Sequence, residues 1–243
     1  MLLAGAGCKA GLMEWVMPLG YFVRASVRTV GRIARKLVLL SCISLACAFS
    51  AWAVEPHRGV EYHATLTNGQ IIGSAFMIAD GLVVTNAHVV SGRKLGDWLM
   101  LSSQKRASRS AQIVGISTRM DLAVLRVPKD FLPVVPYTNA KQIRGASIYA
   151  VGVAAKSAQP QRRYVVSGQI SSGAMVIEAF GSGVIARMPD IRRGFSGGPV
   201  FDQRGNAIGM VAALRDAHQF RARDVFVLSI DEVRAEVDRI LGQ

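Results

Sequence analysis

Beyond residue 53 this 243-residue sequence has no cysteine; Cys8, Cys42 and Cys47 all precede Val54. If that leading segment is removed no disulfide can form, and packing with backbone hydrogen bonds must hold the fold. A disulfide-stapled scaffold is thereby excluded. Proline is scarce as well, with 8 residues, and no Pro-rich linker, internal repeat or low-complexity tract follows Val54. Acidic residues number 16 against 29 Lys and Arg, a formal charge of +13. In the first 53 residues Lys9, Arg24, Arg28, Arg32, Arg35 and Lys36 oppose only Glu14, a net +5 that leaves +8 for the remainder. That excess either attracts anionic surfaces or serves as solubility charge. No Lys/Arg run is interleaved with aromatics and no nucleic-acid-reading motif occurs, so no specific nucleic-acid partner is expected. His57, His63 and His218 lack metal-ligand spacing with Cys, Asp or Glu and read as surface residues; no metal or cofactor is implied.

A long apolar run is absent too. Leu37–Ser50 carries no charge but is 14 residues long, short of the roughly 20 that span a bilayer. The basic stretch Arg24–Lys36 precedes it, and Ala51-Trp52-Ala53 follows with the small-x-small pattern that signal peptidase reads. Basic, apolar, small is the order of a secretory signal. Residues 1–53 are therefore expected to be an N-terminal extension and signal peptide removed after Ala53, leaving a periplasmic or secreted protein. Retention of this segment would instead anchor the chain in the inner membrane. Ala46-Cys47-Ala48 is a weaker cleavage site, Ser44-Leu45-Ala46-Cys47 only loosely resembles a lipoprotein box, and Met13 or Met17 competes with Met1 as the start.

What is present is apolar content of 51% against 19% charged, enough for a packed core. Short β-branched runs alternate with Gly, Asn, Asp and Ser: 62–67, 71–78, 82–85, 112–117, 122–127, 147–153, 163–167, 174–177, 183–187, 199–202, 207–214 and 224–228. Turn signals such as Asn68-Gly69, Asp80-Gly81 and Arg204-Gly205-Asn206 separate them. This spacing predicts an all-β sandwich or barrels. One helix is expected, at the end: Ser229 and Glu232 form a capping box, and Val233, Val237, Ile240 and Leu241 share a face.

Three segments carry chemistry. His88 in Thr85-Asn86-Ala87-His88 follows an apolar strand, where a ring nitrogen could meet a nucleophile; alone, it reads more often as a structural histidine. Asp121 heads the strand Leu122-Ala123-Val124-Leu125, which draws it inward, where an unpaired carboxylate costs several kcal/mol and an imidazole N–H would satisfy it; alone, it reads as a turn residue. Gly194-Phe195-Ser196-Gly197-Gly198-Pro199 sets a serine among glycines, which permit backbone conformations closed to other residues. There the N–H groups of Gly194 and Ser196 can aim at one developing oxyanion.

Together, in the order His, Asp, Ser, these blocks resemble the three catalytic blocks of trypsin-like serine proteases, nearest to the bacterial HtrA-like branch. Gly73-Ser74-Ala75-Phe76, Val166-Ser167-Gly168-Gln169-Ile170 and Asn206-Ala207-Ile208-Gly209-Met210 extend the resemblance over about residues 60–228. It implies the chymotrypsin/trypsin fold: two six-stranded antiparallel β-barrels, about 54–135 and 136–228, and a short helix over 229–241. It implies a serine endopeptidase that cuts protein or peptide substrates through an acyl-enzyme, with His88 as general base, Asp121 orienting it and Ser196 as nucleophile. No cofactor is implied.

Departures from the family set further expectations. Phe195 replaces the Asn usual before the nucleophile in HtrA-like enzymes and the Asp of digestive trypsins. No ion pair with a newly cut N-terminus can form, so local packing, with Phe195 entering an apolar pocket, is expected to order the oxyanion hole. No PDZ-like segment follows the resemblance. Six residues before the nucleophile stands Asp190, at the place of the specificity-pocket base. It either faces the pocket and attracts Lys or Arg, or turns outward to pair with Arg192 or Arg193, leaving a preference for small-to-medium apolar side chains. Gly209, Met210, Val211 and Ala212 are expected to pair with the substrate backbone and wall the cleft. The alternative function is a binding module: a protease fold impaired by Phe195.

Overall fold

The computed structural model describes residues 56–105, 108–139, 142–155, 162–212 and 224–242, all within the unit Ala53–Gln243. The first barrel contains β1 (His63–Thr67), β2 (Ile71–Ala79), β3 (Leu82–Thr85), β4 (Trp98–Ser103), β5 (Arg109–Ile116) and β6 (Ala123–Arg126). Its strands run β1-β2-β3-β6-β5-β4, and β4 pairs back onto β1 to close it. Strand alternation fills the interior: Ala64 and Leu66 from β1, Ala111 and Ile113 from β5, and Ala123 and Leu125 from β6 all point there.

The second barrel contains β7 (Ser147–Gly152), β8 (Tyr164–Ile170), β10 (Gly181–Arg187), β11 (Pro199–Asp202), β12 (Ala207–Ala212) and β13 (Asp224–Ser229), with the short β9 (Met175–Ile177) added to the edge of β10. Pairing of β10 with β13 closes it. With β9 set aside, the two barrels share one strand permutation: a repeat of topology that leaves no repeat in sequence. A single α-helix, α1 (Ile230–Leu241), follows among the described residues. Two six-stranded antiparallel barrels and a C-terminal helix are the expected architecture.

Three local expectations change. No strand is legible between Thr85 and Gln112, yet β4 lies there. Its outward Trp98 and Met100 are exposed but apolar, so the inward Leu99 and Leu101 do not stand out as a period of two. Ser229 is the N-cap of α1, but its hydroxyl makes no capping bond; it also ends β13 opposite Gly209, and that pairing sets its backbone. Leu241 is exposed, and Val233 and Val237 carry the buried face of α1.

Between the barrels lies a third core. Phe76, Leu122 and Val124 from the first barrel meet Tyr149, Phe201, Met210 and Phe226 from the second, with Val233 and Val237 closing over them. The strands β7, β12 and β13 are therefore buried on both faces, which accounts for their unbroken apolar runs. Phe201 sits at the centre of this seam, stacked on Tyr149 with centroids 5.3 Å apart and fully buried. Truncation to Phe201→Ala should leave a cavity that the rigid strands cannot close, costing about 3–5 kcal/mol. Urea unfolding should show the lower midpoint; a loss below about 1 kcal/mol would mean the seam repacks freely.

Candidate active site

The register of the first barrel brings the first two blocks together. β3 pairs with β6 through Thr85↔Ala123, so the chain three residues past Thr85 meets the chain two residues before Ala123. Asn86 Nδ2 donates to the Asp121 carbonyl at 3.0 Å, locking the two segments. The 3-10 turn Ala87–Val90 then presents His88. Both carboxylate oxygens of Asp121 serve it: Oδ1 accepts the His88 backbone N–H at 2.9 Å, and Oδ2 lies 2.8 Å from Nδ1. A carboxylate only accepts, so Nδ1 carries the proton and the Nε2 lone pair is left free. Asp121 is 8% exposed and His88 39%: the acid is sealed and the imidazole remains accessible.

The serine loop comes from the second barrel and docks on the first. The Ser196 carbonyl accepts the Ser74 N–H at 2.8 Å, and a Cβ on Gly197 would stand 3.1 Å from the Thr85 Cα. Ser196 thus lies beside the strand end that leads to His88. Among the described residues no hydrogen bond joins the Ser196 hydroxyl to the His88 ring. The carbonyls before it are all engaged: Arg193 with Ala155 N–H at 2.8 Å, Phe195 with Gly198 N–H at 2.8 Å, and Gly194 with the Ser74 hydroxyl at 2.6 Å. A trans peptide points its N–H opposite its C=O, so each bonded carbonyl fixes the direction of the next N–H. Among the described residues the Gly194 and Ser196 N–H groups have no protein acceptor. Gly194 adopts φ +104, and a Cβ there would fall 2.6 Å from the Ala155 N, so no other residue fits.

The profile of the Trypsin-like peptidase domain matches residues 73–210. The chain belongs to this family. It is 29% identical over 181 residues to a protein named probable periplasmic serine endoprotease DegP-like from Brucella suis biovar 1 (strain 1330), covering 70% of this chain and 33% of that protein. Against the protein of the same name from Halomonas elongata it is 33% identical over 142 residues, 57% of this chain and 28% of that one. The chain thus spans about a third of the length of these relatives. The active form of the Rv3671c protease from M. tuberculosis superposes with a TM-score of 0.64 at 22% identity, covering 76% of this chain and 84% of that one. The serine endoprotease from Yersinia pestis does so at 0.63 and 21%, covering 77% and 65%.

In this trypsin-like domain Phe195 is fully buried within the second barrel. A Cβ on Gly152 would fall 2.5 Å from its ring, so the missing side chain at 152 makes the space that Phe195 fills. Asp190 is exposed and forms no ion pair among the described residues. Arg192 gives its Nε–H to the Asp190 carbonyl at 3.3 Å and lays its guanidinium over Tyr164, so among the described residues the side-chain pairing with Arg192 that the outward-facing alternative allowed is not made. The expectation for β12 needs correction. Gly209 and Met210 are already paired with β11 and β13, and Val211 exchanges backbone bonds with Gly197 and Gly198 at 2.9 Å each. Met210 and Val211 belong to two different cores, and among the described residues neither lines the groove beside His88. Of the expected stretch, only Ala212 lies past these β11-side pairings; residues 213–223 lie outside the described residues. A groove of about 380 Å³ opens beside His88, with Met120, Phe180 and Arg119 in its lining.

Two buried polar groups escaped the sequence reading. Glu236 on α1 accepts from Arg239 Nε at 2.9 Å and Nη2 at 2.6 Å and from the Ser117 hydroxyl at 2.5 Å. Those bonds, Arg239 foremost, hold its carboxyl below the usual range against the opposing effect of burial. Ser117 Oγ in turn accepts the Arg119 and Met120 N–H groups, so α1 braces the turn that delivers Asp121. His63, expected at the surface, is fully buried. Ala64 and Leu66 take the barrel interior, and the opposite face of β1, where a polar side chain would meet water, turns toward the second barrel, whose β7 packs against this strand. The side chain of His57 and the whole of His218 lie outside the described residues.

Burial, and then the nearby Arg163 guanidinium, hold His63 well below the usual histidine range; burial also lowers Arg163 to about 10. Unfolded, His63 titrates near 6.5. As pH falls below about 6.5, the unfolded chain binds a proton that the folded one refuses. The stability is fully present above that pH and is lost below it at about 1.4 kcal/mol per unit until the folded pKa is reached. Urea midpoints at about pH 7.5 and 5.5 should therefore diverge more for wild type than for His63→Gln; equal losses would refute the linkage.

Proposed function

We propose that the protein is an exported serine endopeptidase working through His88, Asp121 and Ser196. The observation that carries this reading is the doubly bonded Asp121–His88 pair with the serine loop docked beside it through the Ser74 N–H and the close fit of Gly197 against Thr85. His88 Nε2 takes the Ser196 proton as Oγ attacks the substrate carbonyl and later returns it to the leaving amine, and Asp121 stabilises the imidazolium. The tetrahedral oxyanion is held by the Gly194 and Ser196 N–H groups. Buried Phe195 orders that loop by packing, so no internal cleavage is needed for activity. The names of the DegP-like relatives support a proteolytic and periplasmic role. Among the described residues no helix is long and apolar enough to cross a membrane.

A fluorophosphonate probe on protein recovered after export tests the reading. Intact mass should give one adduct on a chain beginning at Val54, and Ser196→Ala should take none and lose peptide hydrolysis while still folding. The residual rate of the variant over water would be roughly 10³–10⁴-fold, from oxyanion contacts and binding alone. An unlabelled wild type would favour the binding-module reading, and a mass that retains residues 37–53 would favour a membrane tether.

The substrate is a protein or peptide, and the reading favours small-to-medium apolar side chains at the cleaved position. An acid at the base of a pocket would be walled in, whereas Asp190 is exposed. The groove beside His88 takes a second apolar side chain between Met120 and Phe180. In a peptide-library digest, Asp190→Ala should keep the wild-type cleavage profile. Cleavage after Lys or Arg by wild type, abolished in Asp190→Ala, would establish the pocket-base role instead.

A further inference from the structure

A buried relay runs from β1 into the serine loop. His63 and Thr65 occupy one face of β1, and Thr65 is the direct partner of Ser74 on β2, so His63 is its diagonal neighbour, within reach of a long side chain. His63 Nε2 lies 2.8 Å from Ser74 Oγ, and Ser74 Oγ donates to the Gly194 carbonyl at 2.6 Å. His63 and Ser74 are both fully buried. The single hydroxyl proton of Ser74 is committed to Gly194, so Nε2 must be the donor to Ser74 Oγ. His63 Nδ1 is buried with no partner in any other residue and only its own backbone within reach. The Ser74 end of the relay therefore selects one tautomer. In the opposite tautomer Nε2 would compete with Gly194 for the Ser74 proton.

The Gly194–Phe195 peptide stands between the two peptides whose N–H groups have no protein acceptor. Its other end is held loosely, by the Phe195 N–H to the Arg192 carbonyl at 3.3 Å, and Gly194 itself has no Cβ to restrain it. The Ser74 hydroxyl is thus the tightest hold on its rotation. We propose that His63, acting through Ser74, is a positioning residue for acyl transfer: the relay fixes the Gly194–Phe195 peptide so that the flanking Gly194 and Ser196 N–H groups stay open to the oxyanion. This rests on the protease reading. Neither residue touches substrate. Ser74 also anchors the loop through its backbone, by its N–H to the Ser196 carbonyl, and a side-chain substitution leaves that bond in place.

The test is the rate of Ser196 phosphonylation by a fluorophosphonate, in which Ser196 Oγ bonds to phosphorus, fluoride leaves and the phosphoryl oxygen occupies the oxyanion position. Saturation kinetics separate kinact from KI. Ser74→Ala and His63→Leu should lower kinact by about 10- to 100-fold, the scale of a small misplacement of reacting groups, with KI little changed. His63→Gln retains an amide N–H donor toward Ser74 and should recover most of the rate. Nitrogen-15 NMR of the wild-type imidazole should show Nε2 protonated and Nδ1 bare. A wild type that labels while Ser74→Ala labels equally fast overturns the relay alone. So does a His63→Gln as slow as His63→Leu, or a protonated Nδ1, which remains readable even if the variants fail to fold. A wild type that does not label overturns the protease reading, and the catalytic role of the relay with it.

Discussion

The hydrogen bond from the Ser74 N–H to the Ser196 carbonyl crosses the seam between the two barrels, and the site depends on that crossing. His88 and Asp121 belong to the first barrel and Ser196 to the second. Their relative placement is therefore a matter of how two closed sheets meet. A closed barrel has no free edge to pair, so the sheets meet through side chains, and the large aromatic seam around Phe76, Tyr149, Phe201 and Phe226 supplies the adhesion. Such a seam is non-directional. The Ser74 bond and the close fit of Gly197 against Thr85 give it a register.

The serine loop illustrates how a short irregular segment becomes rigid without a disulfide. Four successive carbonyls, from Arg193 to Ser196, are engaged by donors on three residues: Ala155, Gly198 and, through both its hydroxyl and its backbone N–H, Ser74. Phe195 fills the barrel core beneath them, in the space left by Gly152. Burial of one large ring fixes the loop's height over the barrel, and the carbonyl bonds fix its twist. In this chain a buried ring occupies the position where an ion pair would otherwise be the natural device, and a ring held by packing does not depend on salt or pH.

The acid side of the site is braced from the far end of the chain. Glu236 on α1 holds Ser117, and Ser117 holds the two backbone N–H groups that lead toward Asp121. A buried carboxylate is costly unless paired; here Arg239 and Ser117 satisfy it, so the bracing is charged, short and directional. The helix and the turn before Asp121 are linked although 119 residues separate Ser117 from Glu236.

The linear sequence determined what local chemistry can encode: the three blocks around His88, Asp121 and Ser196, the Gly-containing turns, most strands, the terminal helix, and the inward pull on Asp121 at the head of an apolar strand. Each is legible because residue type and spacing over a few positions carry the signal. Tertiary structure decided the rest. His63 alternates with Ala64 and so reads as solvent-facing, but periodicity reports only which face differs, and the second barrel covers that face. The same holds for Met210 and Val211, whose backbone partners come from β11, β13 and the serine loop, and for Trp98 and Met100, whose apolar side chains stay exposed and hide the strand they occupy. Burial by a partner distant in sequence leaves no periodic trace, because the contact is made by packing between elements and not within one.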